Sequence, residues 1–199
     1  MCLSQFLGDQ SPFQIIVAIV AFVTATYTFY KSFLERARLR LYLGDRVGLV
    51  LSAQGGRNFH MRGSLVNHAV KTGTLHRLEA RLTTPAGVSH LYVWQLFFTY
   101  VPGTLNVHPS GNPIPVSVPG KSSQLLLTQF ELITGKPTPV WSPGRYEIEV
   151  KGWVNKTNRS QSRNLTAVIH FSLDATQCQE LLQTPGHSTV LDIPIEEWA

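Results

Sequence analysis

An uncharged apolar stretch near the N-terminus, from Phe13 to Tyr30, most constrains what this chain can fold into. It lies inside a longer run, from Gln10 to Tyr30, that contains no charged side chain. A helix needs roughly 20 mostly apolar residues to cross about 30 Å of hydrocarbon. The stretch therefore predicts one transmembrane helix, and we expect its anchoring side chains to be Phe13, Ile15, Ile16, Val17, Ile19, Val20, Phe22, Val23, Tyr27, Phe29 and Tyr30.

Local signals support the start of this helix. Ser11 and Gln14 have the spacing of a capping box, and Pro12 suits the first helical position because it lacks an N–H group. A buried core helix and a cleaved signal peptide are the alternative interpretations of such a stretch. A signal peptide would carry positive charge before the apolar run and a small-residue cleavage site after it, and this chain has neither.

The flanking charges predict the orientation of the helix. No Lys or Arg precedes the stretch, whereas Lys31, Arg36, Arg38 and Arg40 follow it closely. The positive-inside rule places such a basic flank in the cytoplasm. We therefore expect the N-terminus outside and the rest of the chain inside the cytoplasm, and the alternative is that the domain lies on the exported side.

The pattern divides the chain into four segments. We expect a short tail over residues 1–12, the transmembrane helix and a juxtamembrane turn over 13–36, and one folded domain over 37–173. Residues 174–199 form an acidic C-terminal segment in which a short helix is predicted around residues 175–183. The part that follows the helix is long enough for one domain with its own core.

Alternation of apolar and polar residues dominates the folded part. It is clear in Ala37–Leu43, Phe59–Asn67 and Thr74–Thr83, and Gly44-Asp45 reads as a turn after the first of these. A hairpin is predicted between 145–154 and 165–173. The expected fold is all-β, an antiparallel two-sheet sandwich of about seven to nine strands that is preceded by one transmembrane helix.

Two stretches carry a family resemblance. LVNHAVKTGTLHRLEARL resembles an early hairpin of an immunoglobulin-like or fibronectin-type sandwich, and WSPGRYEIEVKGWV resembles the late Gly-x-Tyr strand of such domains. The resemblance covers residues 45–173 and implies an immunoglobulin-like architecture. The chain lacks the Cys, Trp, Cys spacing of true immunoglobulin domains, so the likeness concerns architecture only.

Charge is distributed unevenly along the chain, whose net charge is +5. Residues 44–173 contain thirteen Lys and Arg against five Asp and Glu, whereas residues 174–199 contain five acids and no Lys or Arg. A basic body beside a membrane is attracted to anionic headgroups. The alternative is a normally solvated surface on which the acidic segment folds back.

The segment NKTNRSQSRN, at the tip of the predicted hairpin, contains cations and no acid. We expect a cationic interaction loop formed by Lys151, Lys156, Arg159 and Arg163, with an acidic protein surface or anionic lipid headgroups as its partner. An ordinary solvated loop is the alternative. Stacking aromatics are absent from the segment, which argues against sequence-specific nucleic-acid binding.

The sequence contains none of the usual catalytic or metal-binding patterns. The seven histidines show no ligand spacing, no G-x-S-x-G elbow occurs, and no glycine-rich loop precedes a helix. Cys2 and Cys178 lie on opposite sides of the predicted helix, so they are not expected to form a disulfide bond with each other. We expect no enzymatic activity, no metal and no cofactor.

Three functional hypotheses remain open. The first is a non-enzymatic interaction or assembly module held near the membrane. The second is a sandwich that binds a small carbohydrate or apolar ligand near Trp94, Trp141 and Trp153. The third is an exported, adhesin-like envelope domain.

Overall fold

The computed structural model describes residues 12–31, 37–51, 57–100, 107–154, 165–183 and 189–198. Two helices occur in these ranges, α1 (Pro12–Phe29) and α2 (Ala175–Gln183). All other regular elements are strands: β1 (Leu39–Leu51), β2 (Asn58–Asn67), β3 (Gly73–Thr83), β4 (Ser89–Tyr100), β5 (Val107–Gly111), β6 (Val116–Val118), β7 (Ser123–Leu132), β8 (Gly144–Val154), β9 (Leu165–Leu173), β10 (Thr189–Pro194) and β11 (Glu197–Trp198).

Helix α1 lies fully exposed, with none of its 18 residues buried against the rest of the chain. The hydroxyls of Thr24 and Thr28 donate hydrogen bonds to the carbonyls of Val20 and Thr24, both at 2.8 Å. Its few polar side chains are therefore partly satisfied within the helix itself. The length and apolar composition of α1 are sufficient for it to cross a membrane.

The strands form one antiparallel sheet of 11 members, in the order β10-β1-β2-β7-β4-β3-β8-β9-β11, with β5 on β4 and β6 on β3. Strand β4 joins the two halves of this sheet. Its first part, Ser89–Val93, pairs with β3, and its later part, Tyr92–Phe97, pairs with β7. Tyr92 and Val93 pair with both neighbours, and a bulge at Gln95 interrupts the pairing with β7. Because β4 is shared, the strands make one sheet rather than the two that the sequence predicts.

The C-terminal segment nearly closes this sheet into a barrel. Strand β10 pairs with β1, and β11 pairs with β9 at the other edge. Between them, Ile195 donates its N–H to the Asp45 carbonyl and Glu196 donates its N–H to the His170 carbonyl, each at 2.9 Å. The acidic segment is thus part of the sheet, and α2 lies where a short helix is predicted.

The core consists of the inward-facing apolar rows of these strands. Phe59 lies between two other rings, with centroid distances of 4.8 Å to Tyr92 and 5.1 Å to Phe130. Tyr146 stacks on Phe171 at 5.3 Å. Burial of each such side chain contributes about 1.5–3 kcal/mol. The side chains predicted on one face of β2, at Phe59, Met61 and Leu65, are buried, which confirms the alternation there.

Two local predictions are wrong. Gly44-Asp45 is not a chain reversal, because β1 runs through it and pairs with β2 on both sides of a bulge between Leu43 and Val47. The strands β2 and β3 do not form a hairpin either. Strand β2 pairs with β1 and β7, whereas β3 pairs with β4, β6 and β8, so the connection crosses from one half of the sheet to the other.

The predicted late hairpin is confirmed, since β8 and β9 pair from Gly144 with Leu173 to Gly152 with Leu165. Its entry is held by the phenol of Tyr146. The hydroxyl donates to the Ser142 carbonyl at 2.8 Å and accepts from the Ser142 N–H at 2.9 Å. Both backbone groups of Ser142 are therefore satisfied by one side chain.

A buried amide, Asn67, fixes the connection between β2 and β3. Its side-chain nitrogen donates to the carbonyls of Lys71 (2.8 Å), Val118 (3.1 Å) and Pro119 (3.2 Å). Its side-chain oxygen accepts the Ala69 N–H at 3.1 Å. With 1% of its surface exposed, Asn67 satisfies backbone groups of two separate loops, and its bonds to Val118 and Ala69 are buried.

We expect Asn67→Ala to lower the free energy of unfolding by about 2–3 kcal/mol, because the substitution leaves backbone groups unpaired in a buried site. Urea denaturation of the full-length protein in detergent would measure the loss. Asn112→Ala, at an exposed position between β5 and β6, is the matched control and should change stability by less than about 0.5 kcal/mol. Equal effects of the two substitutions would contradict the role assigned to Asn67.

A polar network lies beside the bulge of β4. His60 Nε2 is 3.1 Å from Gln129 Oε1, and Gln129 Nε2 donates to Gln95 Oε1 at 2.6 Å. The imidazole also packs on Phe98, with ring centroids 4.2 Å apart. Burial lowers the pKa of His60 from its ordinary value of 6.5, and the hydrogen bond to Gln129 opposes part of this shift.

The lowered pKa of His60 predicts a loss of stability in acid. The unfolded chain takes up a proton near pH 6.5, whereas the folded chain does so only at lower pH. The stability contributed by this difference is present above 6.5 and is lost as the pH falls through 6.5 towards the folded-state pKa. His60→Gln should flatten this part of the pH profile of the unfolding free energy. His108→Gln, at an exposed position on β5, should leave the profile unchanged, and a His60→Gln profile as steep as wild type would refute the assignment.

Candidate functional site

One end of the β domain is connected directly to α1. Strand β1 begins there, with Leu39 opposite Asn67 at the end of β2. Strand β7 begins beside it, with Ser123 opposite Val66, and β6 ends with Val118 opposite Gly73. We call residues 37–40, 68–72 and 119–122 the helix-proximal end, because the first of these segments follows α1 in the chain.

The chain length limits how far this end can lie from α1. Lys31 and Ala37 are separated by six residue steps, which span at most about 20 Å when fully extended. Ala37, the first residue of the helix-proximal end, therefore stays within this distance of Lys31, the last described residue of the helical segment. If α1 crosses a bilayer, this end is the part of the domain that faces the headgroups.

Hydrogen bonds tie the three segments of the helix-proximal end together. The His68 N–H donates to the Arg38 carbonyl at 3.0 Å, and the Lys121 N–H donates to the Ala69 carbonyl at 2.9 Å. The Lys121 ammonium donates to the His68 carbonyl at 2.5 Å. The loops are in such close contact that a Cβ at Gly120 would lie 1.6 Å from the Val70 carbonyl oxygen. Only glycine fits there, so the surface has a defined shape.

The helix-proximal end is basic. Its four cationic side chains are all exposed and come from three different segments: Arg38, Arg40, Lys71 and Lys121. Its three segments contain no Asp or Glu. Glu35, two residues before this end in the sequence, lies outside the described residues. Along the strands that begin here, the first acids are Asp45 on β1 and Glu79 on β3. Asp45 is five residues beyond Arg40 and Glu79 is six residues beyond the start of β3, which corresponds to about 17 Å and about 20 Å at 3.3 Å per residue. At physiological ionic strength the Debye length is about 8 Å, so these acids neutralise the surface only weakly.

Two of the four predicted topology-determining residues belong to this end. Arg38 and Arg40 belong to it, and the Lys31 ammonium lies 5.9 Å from the centre of the Tyr27 ring at the end of the helix. Arg36 lies outside the described residues. Lys71 and Lys121 were missed from the sequence because they lie in two connections that are distant from each other in the chain, residues 68–72 and 119–122.

The predicted interaction loop is described only in part. Lys151 lies on β8, half-buried, and is paired with the Glu149 carboxylate. Lys156, Arg159 and Arg163 lie outside the described residues. The flanking strand ends are informative, because Val154 pairs with Leu75, two residues from Gly73. The chain therefore leaves β8 near the helix-proximal end.

The three tryptophans named for the ligand hypothesis are buried in separate places. Trp94 packs on Phe97 with ring centroids 4.7 Å apart, and Trp141 packs on Tyr146 at 5.4 Å. Trp153 lies 5.6 Å from the Arg77 guanidinium. Each has at most 7% of its surface exposed. They do not form a common groove for a ligand.

An apolar groove occurs elsewhere, where β4 and β7 diverge. Its volume is about 590 Å³. The apolar lining comes mainly from Phe97, Phe98, Ile114, Leu125 and Leu127, with Val116 at its base. Ile114 and Leu125 are 63% and 60% exposed, so the groove is open to solvent. The volume lies within the range of small-molecule sites, but the groove is more open than the clefts that bury most of a ligand's surface.

The carboxylates and histidines of the described residues do not assemble into a metal site of three or more ligands. Glu147 lies 3.2 Å from His170 Nε2, and Glu149 pairs with Lys151 on the same face of β8. These side chains form a charged stripe along β8. Cys178 is buried in the core, and burial raises the pKa of its thiol.

The chain was compared with known proteins. No protein-family model matches the sequence, and no curated protein matches it either. Among solved structures, a protein classed as late embryogenesis abundant is similar at a TM-score of 0.39 and 9% identity, over 82% of this chain and 88% of that one. The sporulation control protein Spo0M from Bacillus subtilis is similar at 0.30 and 8% identity, over 70% and 49%.

A family 123 glycoside hydrolase from Clostridium perfringens is similar at a TM-score of 0.33 and 9% identity, over 67% of this chain and 27% of that chain. The chain thus spans about half of Spo0M and about a quarter of the hydrolase. With TM-scores below 0.5, these likenesses support no inference about the function of this chain.

Proposed function

We propose that this chain is a single-span membrane protein whose β domain acts as a non-enzymatic interaction or assembly module close to the bilayer. The observation that carries the proposal is the complete exposure of α1, an apolar helix of 18 residues with no residue buried. Left in water, such a surface is strongly unfavourable, and no other described element covers it. A bilayer would cover it on all sides.

The charges favour the domain on the cytoplasmic side, with the N-terminus outside. Lys31, Arg38 and Arg40 follow α1 among the described residues, and no Lys or Arg precedes it in the sequence. In this arrangement the basic helix-proximal end meets the cytoplasmic leaflet. The partner is an acidic protein surface or the anionic lipid itself. In the alternative, α1 crosses the membrane in the opposite orientation, and the β domain is an exported, adhesin-like domain.

We infer further that the domain is related in architecture to immunoglobulin-like sandwiches, in a form whose two halves are joined through β4. The Tyr146 contacts support this relation. In such sandwiches a tyrosine near the start of a late strand bonds through its hydroxyl to backbone a few residues upstream. Tyr146 does so with Ser142, in the stretch that carries the sequence resemblance.

The groove between β4 and β7 favours a second candidate function, the binding of a small apolar molecule. The residues expected to contact the ligand are Phe97, Phe98 and Leu125, which line the groove, rather than the tryptophans. Its polar lining, from Ser110, Ser117 and Gln124, could orient a ligand through a few hydrogen bonds.

Charging the middle of α1 should release the protein from membranes. Each lysine at the centre of a transmembrane helix costs about 3 kcal/mol of insertion free energy, and Val17→Lys with Val20→Lys places two there. The wild-type protein should stay in the membrane pellet after alkaline carbonate extraction, whereas the double variant should appear in the supernatant. The variant with Val17→Leu and Val20→Leu is the control and should remain in the pellet. Wild-type protein in the supernatant would refute the anchor.

A reporter fused to the C-terminus measures the orientation of the protein in the membrane. Alkaline phosphatase fused after Ala199 should be inactive if the domain is cytoplasmic, because the enzyme needs an oxidising compartment for its disulfide bonds. Activity of this fusion, in protein that still resists carbonate, would establish the exported orientation and reject the cytoplasmic one.

The second candidate predicts a co-purified molecule. Native mass spectrometry of the full-length protein, released from detergent, should detect an apolar small molecule bound to wild type. Leu125→Asp should reduce its occupancy several-fold, because the substitution puts a charge into the groove. Val140→Asp, at an exposed position that does not line the groove, is the control. Absence of a bound molecule, or equal loss in both variants, would count against this function.

A further inference from the structure

We propose that the helix-proximal end binds the phosphate groups of anionic lipids in the leaflet next to the domain. This inference rests on the proposed anchoring by α1 and names the partner of the anchored domain. It uses residues that no single segment of the sequence brings together: Arg38, Arg40, Lys71 and Lys121.

The charge of the helix-proximal end is complementary to that of anionic lipid headgroups. The four cations share a surface without any acid in its own segments, although acids are numerous elsewhere in the described chain. Elsewhere on the domain, cations lie among acids: Arg46, in the middle of β1, is paired with Asp192 at 3.2 Å. At the end opposite the helix-proximal end, Arg57 precedes the residue that pairs with Glu131, and Arg145 is two residues from Glu147. The net positive charge is therefore larger at the helix-proximal end than at the opposite end. A negatively charged surface attracts the helix-proximal end first.

Shape carries the second step. Because Asn67 and Lys121 bind the backbone of the β2–β3 loop, that loop is held in place rather than collapsing onto the domain. At its tip, Val70 is 51% exposed between the buried Ala69 and the exposed Lys71. An apolar side chain flanked by a cation can enter the boundary between headgroups and acyl chains, while the ammonium stays with the phosphates.

Distance distinguishes lipid from an acidic protein as the partner. The connection from Lys31 to Ala37 spans at most about 20 Å, and the headgroup layer of one leaflet is about 5–8 Å thick, so Ala37 stays within a few headgroup layers of Lys31. The helix-proximal end thus faces lipid continuously, at a high effective concentration, whereas a protein partner would have to enter the same gap. The short connection between α1 and the domain therefore favours lipid as the partner of this surface.

The experiment uses full-length protein in nanodiscs of zwitterionic lipid and in nanodiscs that also contain an anionic lipid. A fluorophore is attached at position 70 in Val70→Cys, on a Cys2→Ser background. Cys178 is buried, so it should not react. Position 88, in Val88→Cys, is the matched control, because Val88 is 54% exposed in the turn between β3 and β4 at the opposite end of the domain. Lipids with a nitroxide on the headgroup serve as quenchers.

We expect quenching at position 70 in anionic nanodiscs, much weaker quenching in zwitterionic nanodiscs or at high salt, and none at position 88. Lys71→Glu with Arg40→Glu should abolish the quenching at position 70. Lys136→Glu with Arg81→Glu changes the net charge equally at exposed positions outside the helix-proximal end and should leave quenching unchanged. Unfolding curves of both variants verify that the domain is intact.

Failure of the proposed anchor and failure of the headgroup proposal give different experimental results. Protein that does not elute with nanodiscs of either kind refutes the anchor and hence the proposed function. Protein that elutes with nanodiscs but shows no quenching at position 70, or equal quenching in both charge-reversal variants, overturns the headgroup proposal and leaves the anchor standing. Protection of position 70 in native membranes, without quenching in nanodiscs, would overturn it in favour of a protein partner.

Discussion

Near-closure of a single antiparallel sheet is the constraint on which the rest of the domain depends. Each strand presents an apolar row to one side, and a flat sheet of 11 strands would leave that side in water. The sheet solves this by bending at β4 and by spanning its two outer edges with residues 189–198. The last strands of the chain thus cover the edges on which the first and late strands would otherwise be open to pairing with other chains.

This closure also explains why the connection from α1 and several exposed cations lie at the same end of the domain. Because β1 must occupy its place between β10 and β2, its first residue, Leu39, lies at the end where the β2–β3 and β6–β7 connections also lie. The chain from α1 therefore enters the domain at an end that contains turns rather than a sheet face. Turns accommodate cations such as Lys71 and Lys121 without burying them, and so the charge at this end follows from the topology together with the positions of a few residues.

Much of the local structure could be predicted from the sequence, and the pairing of the strands could not. The alternation around Phe59 and around Ile148 depends only on period two along the chain, and both side chains are buried as that pattern indicates. Gly44-Asp45 has the composition of a turn and also that of a bulge, and the two differ only in whether β2 continues past it. The sharing of β4 between β3 and β7 depends on which strands lie beside Tyr92 and Val93, and the bulge at Gln95 has no signal among the aromatic residues around it.

By itself the sequence determined that one helix is apolar and long enough for a membrane, that the remainder is β-rich, and that cations follow the helix closely. These properties follow from composition and periodicity, which act between near neighbours in the chain. Only the tertiary structure decided which turns meet at the helix-proximal end, that three tryptophans are buried apart, and that an apolar groove opens between β4 and β7. Those features depend on contacts between residues distant in sequence, and local sequence patterns do not indicate which of these contacts form.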